Sequence, residues 1–154
     1  MMAGAFLRCG DSVLLMHRGE HKAIAPGLWS CIGGHMEPEE INDPLEACYR
    51  EIAEETGLTR RAVSKLRPRY IIVHHAGEEL RVVHYFTGET ARTFPMPECA
   101  EGSLHWVRMG DALEKPMSFS VKEIVAHWLA HPDDDALYLC GVNRANDHIT
   151  WVRL

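Results

Sequence analysis

The absences in this sequence narrow its function first. There is no apolar run approaching the ~20 residues that a membrane-spanning helix needs, so no membrane partner is expected. The opening, MMAGAFLRCGDSVLLMHRGE, lacks a basic start and a continuous apolar stretch, and it is not read as a signal peptide. No C-x-x-C pair occurs among the five cysteines (Cys9, Cys31, Cys48, Cys99, Cys140), so neither a zinc site nor a disulfide framework is expected. Scattered thiols in odd number fit a reduced, cytoplasmic protein. His74 and His75 are adjacent and would face opposite sides of a strand, which does not make a ligand pair. Basic stripes are missing and the net charge is −6, which argues against a nucleic acid polymer as partner. A small phosphorylated ligand remains compatible with that charge if a metal ion accompanies it.

What is present is ordinary for a globular chain: 154 residues, 46% hydrophobic and 25% charged. One domain over 1–154 is the simplest reading, since no linker or repeat divides it. Residues 3–9 and 12–17 read as strands around the turn pair Gly10-Asp11. Residues 18–28 read as a loop and 29–32 as a short strand ending at Gly33-Gly34. A helix follows, with Asp43 as N-cap, Pro44 in the first turn, Glu46 closing a capping box and Gly57 as the stop. Leu45, Tyr49, Ile52 and Thr56 supply its buried stripe. Strands at 69–75 and 79–89 form a hairpin, and 103–108 adds another strand. Ser120 and Glu123 suggest a second capping box, with Val121, Ile124, Val125, Trp128 and Leu129 at helical spacing until His131-Pro132. A last hairpin, 136–142 and 148–154, turns through RAND. The expected fold class is α/β: a central mixed sheet rich in hairpins, with the two helices on opposite faces, an α/β/α sandwich.

The chemistry gathers on the first helix. At 100° per residue, Glu51, Glu54 and Glu55 fall within an arc of about 100°. Like charges at such spacing repel by a few tenths of a kcal/mol each. A divalent cation converts that repulsion into coordination, and carboxylate oxygens suit Mg²⁺ or Mn²⁺. Arg50, four residues before Glu54, is placed to pair with it. A solvated acidic helix face is the plainer explanation for three clustered glutamates. The frame around them changes the balance: a double glycine ahead, a further acid at Glu40, an Arg-Glu pair and a glycine stop.

That frame resembles the Nudix hydrolase signature, G-x5-E-x7-R-E-U-x-E-E-x-G-U, where U is a bulky aliphatic residue. Gly34 is followed by HMEPE and Glu40, and then, after nine residues, by Arg50-Glu51-Ile52-Ala53-Glu54-Glu55-Thr56-Gly57-Leu58. Every fixed position is filled. The one departure is nine residues between Glu40 and Arg50 instead of seven, with the extra pair placed in INDP ahead of the helix. LLMHRG, PGLWSCIGGH and EGSLHWV extend the resemblance over most of residues 3–131, whereas the hairpin at 132–154 matches less well.

The resemblance implies a Nudix-type sandwich and hydrolysis of a nucleoside diphosphate linked to another group, with Mg²⁺ or Mn²⁺ as cofactor. Glu51, Glu54 and Glu55 would be metal-binding carboxylates, oriented by Arg50. Gly34 would let the loop approach closely, and Glu40 would support that loop or reach the metal through water. Glu101 is the candidate catalytic acid from the later loop, with Glu98 behind it. Arg18 would contact phosphate or base. The branch it resembles most closely is the nucleoside triphosphate pyrophosphohydrolases, 8-oxo-dGTP diphosphatases among them. Phe119 or Met117 would then cover the base, although the paired acids that read an oxidised purine are missing from Lys115–Ser120. Trp29 and Trp106, in apolar strands, are read as packing residues rather than stacking platforms. Hydrolysis of a sugar nucleotide or dinucleoside polyphosphate, and a non-catalytic nucleotide-binding module, are the alternatives. The intact Arg50/Glu51/Glu54/Glu55 set favours an enzyme, and a homodimer is compatible with the exposed strands.

Overall fold

A computed structural model describes residues 1–23, 25–91, 93–143 and 147–154. Ile24 of the expected 18–28 loop, Arg92, and Arg144, Ala145 and Asn146 of the expected RAND turn lie outside the described residues.

Strands β1 (Met2–Cys9) and β2 (Ser12–Arg18) pair antiparallel through a turn in which Gly10 takes φ +56°, a conformation glycine adopts without penalty. Both are buried on both faces at their centres. Phe6, Val13 and Leu15 enter one core, while Ala5, Leu7, Leu14 and Met16 enter the other. A sheet covered on both sides needs this continuous apolar character.

The expected strand 29–32 is two strands. β3 (Trp29–Ser30) pairs with β2, and β4 (Ile32–His35) crosses to pair with the start of β1. Close approach dictates the residue at the crossing. Gly33 has φ +141°, and a Cβ there would lie 2.3 Å from the Ala3 carbonyl oxygen.

Helix α1 (Pro44–Thr56) starts and stops where its sequence signals lie. Asp43 accepts a hydrogen bond from the Glu46 N–H at 3.2 Å, a cap that stabilises a helix by about 1 kcal/mol. Gly57, at φ +72°, donates its N–H to the Ala53 carbonyl. The Glu46 carboxylate accepts from Arg60. Ile52 and Thr56 are buried as expected, but so are Glu51 and Glu55.

β5 (Val63–Ala76) and β6 (Glu79–Thr90) form the long hairpin. β5 begins six residues before the expected start at 69. Its first part carries two register irregularities and Lys65 at φ +53°, which break the two-residue alternation by which a strand is recognised. β7 (Gly102–Arg108) pairs with β2 along its whole length. Helix α2 (Phe119–Ala130) starts ahead of the expected cap, so Ser120 lies inside the helix and its box with Glu123 is not formed. The segment before α2 is held to the sheet instead, where the Trp29 N–H donates to the Pro116 carbonyl at 2.8 Å. Val121, Ile124, Val125 and Trp128 are buried, as their spacing requires.

The chain closes with β8 (Tyr138–Asn143) and β9 (His148–Arg153), an antiparallel pair joined to β5 through a parallel contact. Strand order is β3-β2-β1-β6-β5-β8-β9, with β4 also on β1 and β7 also on β2. β1–β6 and β5–β8 are parallel and the remaining pairs antiparallel, so the sheet is mixed. Ala47, Cys48 and Ile52 of α1 belong to one core and Val121, Ile124, Val125 and Trp128 of α2 to the other, the α/β/α arrangement. The last hairpin is anchored by aromatic contacts: His127 of α2 stacks on Trp151 at 4.6 Å and its Nδ1 lies 3.0 Å from the Tyr70 hydroxyl. His74 is buried and His75 exposed, on opposite faces as expected, and all five thiols are free. Among the described residues, no helix is long and apolar enough to cross a membrane.

Candidate active site

Glu51 and Glu55 lie on the buried face of α1, four residues apart, beneath the glycine pair of β4. The Gly33 N–H donates to Glu55 Oε2 at 2.8 Å. A Cβ at Gly34 would lie 2.7 Å from both carboxylate oxygens of Glu51, so only hydrogen leaves room for that side chain. Glu51 is 8% exposed and Glu55 6%. Burial raises the pKa of both acids, because a carboxylate deprived of water is destabilised relative to its neutral form. Glu55 is pushed up to about 8, with repulsion from Glu51 and Glu101 adding to the effect of burial and the Gly33 hydrogen bond opposing it.

Arg50 ties the remaining acids together. Its Nε and Nη2 donate to the two oxygens of Glu40 at 2.8 and 2.9 Å. Its Nη1 donates to Glu51 Oε1 at 2.9 Å and Glu54 Oε2 at 3.1 Å, and Nη2 also donates to the His35 carbonyl at 3.0 Å. A guanidinium has five N–H donors, so these bonds use its full capacity. The Glu40 carboxylate is held down to about 2, first by Arg50 and then by the Glu37 N–H, 2.9 Å from its Oε2. Both oxygens of Glu40 face protein donors, Arg50 and the Glu37 N–H. The two extra residues before Arg50 do not disturb this pairing. Ile41 and Asn42 are exposed, and the Asp43 N–H returns to the Glu40 carbonyl at 2.8 Å.

Glu54 points outward, its side chain 57% exposed, with one contact to Arg50. Glu101 arrives from the residue before β7. Its carbonyl accepts from the Gly19 N–H at 3.0 Å, and its carboxylate meets Lys22 Nζ at 2.7 Å and Arg18 Nη2 at 3.3 Å. The hydrogen bond from Lys22, with the nearby positive charges, lowers its pKa. The charges of Glu101 and Arg18 act on Glu55 in opposite senses, the first raising and the second lowering its pKa. Glu98 is exposed. Phe119 opens α2 and packs, half-buried, against the core on that side. Trp29 packs at the edge of the same core, stacked on His17 at 5.0 Å, and Trp106 packs against the other, edge-on to Phe94.

Sequence reasoning missed Lys22, the Glu37 N–H and the His35 carbonyl. Lys22 is 79 positions from Glu101, and no local signal marks so distant a pairing. The two backbone groups carry no residue-specific signature.

Among the described residues, no three His, Cys, Asp or Glu side chains are gathered closely enough to hold a metal ion. The donor set nevertheless suits a hard divalent cation: Glu51 and Glu55 are desolvated acids whose raised pKa values a cation would reverse, with the exposed Glu54 beside them.

A mixed-sheet sandwich carrying an arginine-clamped acidic helix under a glycine pair defines a class, and comparison with known proteins gives its name. The chain belongs to the Nudix family, whose domain model, described as NUDIX domain, matches residues 2–128. It is a Nudix hydrolase, an enzyme acting on phosphoanhydride bonds. Among solved structures it is similar to a MutT protein from Bacillus halodurans, with 25% identity, a TM-score of 0.70, and coverage of 99% of this chain and 95% of that one. It is similar to an Ap4A hydrolase from C. elegans at 18% identity and TM-score 0.66, covering 86% of this chain and 98% of that one. The NUDIX domain of Shewanella oneidensis NrtR, crystallised with ADP ribose, matches at 17% identity and TM-score 0.65, with 85% of each chain covered. The last two likenesses bear on the fold alone.

Proposed function

We propose that this chain is a Mg²⁺-dependent nucleotide pyrophosphohydrolase that converts a nucleoside triphosphate to the monophosphate and pyrophosphate. The observation that carries the reading is Arg50, whose five donors lock Glu40, Glu51, Glu54 and the His35 carbonyl into one rigid array beside Glu55. A surface acidic patch would have no need of such orientation. The MutT likeness over nearly the full length of both chains supports the triphosphate branch.

Glu51, Glu54 and Glu55 would hold the cation, Mg²⁺ or Mn²⁺. When bound, it supplies neutralisation of phosphate charge and a lowered pKa for water. The protein's own residues do the rest. Arg50 fixes the direction of the Glu51 and Glu54 carboxylates. The Gly33 N–H fixes Glu55 through Oε2 and leaves Oε1 of that side chain as the group to take a proton. Gly34 keeps the loop clear of Glu51. Glu40 acts on this array through Arg50. Phe119 or Met117, partly buried at the edge of the α2-side core, is the proposed cover for the base, and an oxidised purine is the proposed base. The activity resides in one domain spanning 1–154, with the last hairpin extending its sheet, and it serves nucleotide sanitation in the cytoplasm.

The test is a screen of canonical and oxidised (d)NTPs, sugar nucleotides and dinucleoside polyphosphates with Mg²⁺, with products assigned by phosphorus NMR. Monophosphate and pyrophosphate from a triphosphate are expected. Products from a sugar nucleotide or dinucleotide alone would replace the substrate, and tight nucleotide binding without product would leave a binding module.

A further inference from the structure

Resting on the proposed phosphoanhydride chemistry, we infer that Lys22 is a phosphate-binding residue of this site and that Glu101 is a positioning residue which presents Lys22 and Arg18 to the substrate. The starting point is a count of donors. A polyphosphate approaching four glutamates needs cationic partners beyond the metal, and Arg50 offers none, since all five of its N–H groups already have protein acceptors. Arg18, whose charge acts on Glu55, and Lys22, which shares Glu101 with it, are described cations on that side of the acidic helix. Their side chains are only 20% and 22% exposed, and both converge on Glu101.

The scaffold beneath them is rigid where it must be. Arg18 ends β2 in register with Gly102, the first residue of β7. A Cβ at Gly102 would lie 2.1 Å from the His17 carbonyl oxygen, so the two strands touch at the backbone here. The Gly19 N–H bonds to the Glu101 carbonyl, and the Lys22 N–H returns to the Gly19 carbonyl at 3.1 Å. Four residues of the loop after β2 are thereby folded over the start of β7, with Glu101 at the centre.

A carboxylate bridging a lysine and an arginine has the charge and oxygen geometry of a phosphate edge. The more exposed of the three side chains is the acid, at 39%. A substrate phosphate arriving there would share or exchange the lysine and arginine donors with Glu101, without ordering two long side chains from solution. Glu101 therefore keeps the cations folded toward the site in the free enzyme. A carboxylate so engaged is a poor proton acceptor, which gives Glu101 an orienting role in place of base catalysis.

The experiment compares wild type, Lys22→Met, Lys22→Arg and Glu101→Gln, with folding checked by thermal unfolding. Binding of inorganic pyrophosphate in the presence of Mg²⁺ is measured by calorimetry, and KM and kcat are measured on the best triphosphate. Lys22→Met is expected to weaken pyrophosphate binding and raise KM by about tenfold, the loss of one charge-assisted hydrogen bond, with kcat changing less than KM. Lys22→Arg should restore most of the affinity. Glu101→Gln is expected to raise KM severalfold with a smaller change in kcat. Unchanged pyrophosphate affinity in Lys22→Met, or no binding by wild type, would overturn the role of Lys22. A kcat loss of orders of magnitude in Glu101→Gln would make that residue the base and overturn its orienting role. The pyrophosphate measurement needs no turnover. If no nucleotide were hydrolysed and Lys22→Met still lost pyrophosphate, the phosphate site would stand and the enzymatic reading would fall.

Discussion

Gly34 and Glu51 contend for the same space: the methyl group of any larger residue at 34 would fall 2.7 Å from both oxygens of the buried carboxylate. The backbone there is otherwise ordinary, without positive φ. Gly34→Ala should therefore act on the carboxylate rather than on the fold. We expect kcat/KM to drop by about 10²-fold, as for a catalytic group displaced by about 1 Å, while the melting temperature moves by only a few degrees. Near wild-type kinetics for this variant would mean that the Glu51 position is not critical.

Glu54 is the exposed member of the acidic set, so its removal separates chemistry from stability. Glu54→Gln keeps the shape and removes the charge. Turnover should fall by about 10²-fold or more while thermal unfolding stays within about 0.5 kcal/mol of wild type. Chelation of divalent metal should abolish hydrolysis in the wild type. Persisting Mg²⁺-dependent turnover in Glu54→Gln would exclude that side chain from the mechanism.

Arg50→Lys probes the clamp. Lysine keeps the charge but brings three donors from a single nitrogen, and it cannot span Glu40, Glu51, Glu54 and the His35 carbonyl together. The network is partly solvated, so the stability cost should be modest, about 1–2 kcal/mol, read as a melting temperature lower by several degrees. The kinetic loss should be larger in proportion. A lysine variant with full activity would show that fixed orientation of the acids is unnecessary.

Glu55 makes a prediction about pH. Its folded pKa of about 8 lies above the unbound carboxylate value of 4.5, so the folded state favours the protonated acid. The stability contributed by that acid is complete below pH 4.5 and is lost as pH rises through about 8. Glu40 works in the opposite sense: its pKa of about 2 gives stability that is present above 4.5 and lost as pH falls toward 2. Between pH ~5 and ~9 only Glu55 of these two titrates, while burial lowers the pKa values of His84 and His127 and works in the opposite sense, so the Glu55 contribution is read as the stability difference between wild type and Glu55→Gln in the metal-free protein, which should fall across that range. Mg²⁺ binding needs the ionised acid and should tighten over the same interval, then level off. Calorimetric unfolding with and without Mg²⁺ reads both trends. A difference between wild type and Glu55→Gln that does not fall through neutral pH would contradict the burial of Glu55.

Local signals were legible in the sequence and distant ones were not. Helix α1 was readable end to end, because Asp43, Pro44 and Gly57 act within a turn of their own position. The start of α2 was misplaced, because the Trp29–Pro116 backbone bond fixes the preceding segment and lies outside any local pattern. The first half of β5 was hidden by its register shifts, and the division of β3 from β4 by the glycine crossing. In the site, the i, i+4 pairing of Arg50 with Glu54 followed from helical spacing. The bidentate grip on Glu40 and the union of Lys22 with Glu101 depend on tertiary packing, which brings together residues that no periodicity connects.

Ile41 and Asn42, between Glu40 and Asp43, are exposed to solvent. They bulge outward between two anchored points, the arginine-bound end of one short turn and the capped start of the next. A segment of different length would find its room in solvent there, with Glu40 held by Arg50 on one side and Asp43 capping α1 on the other.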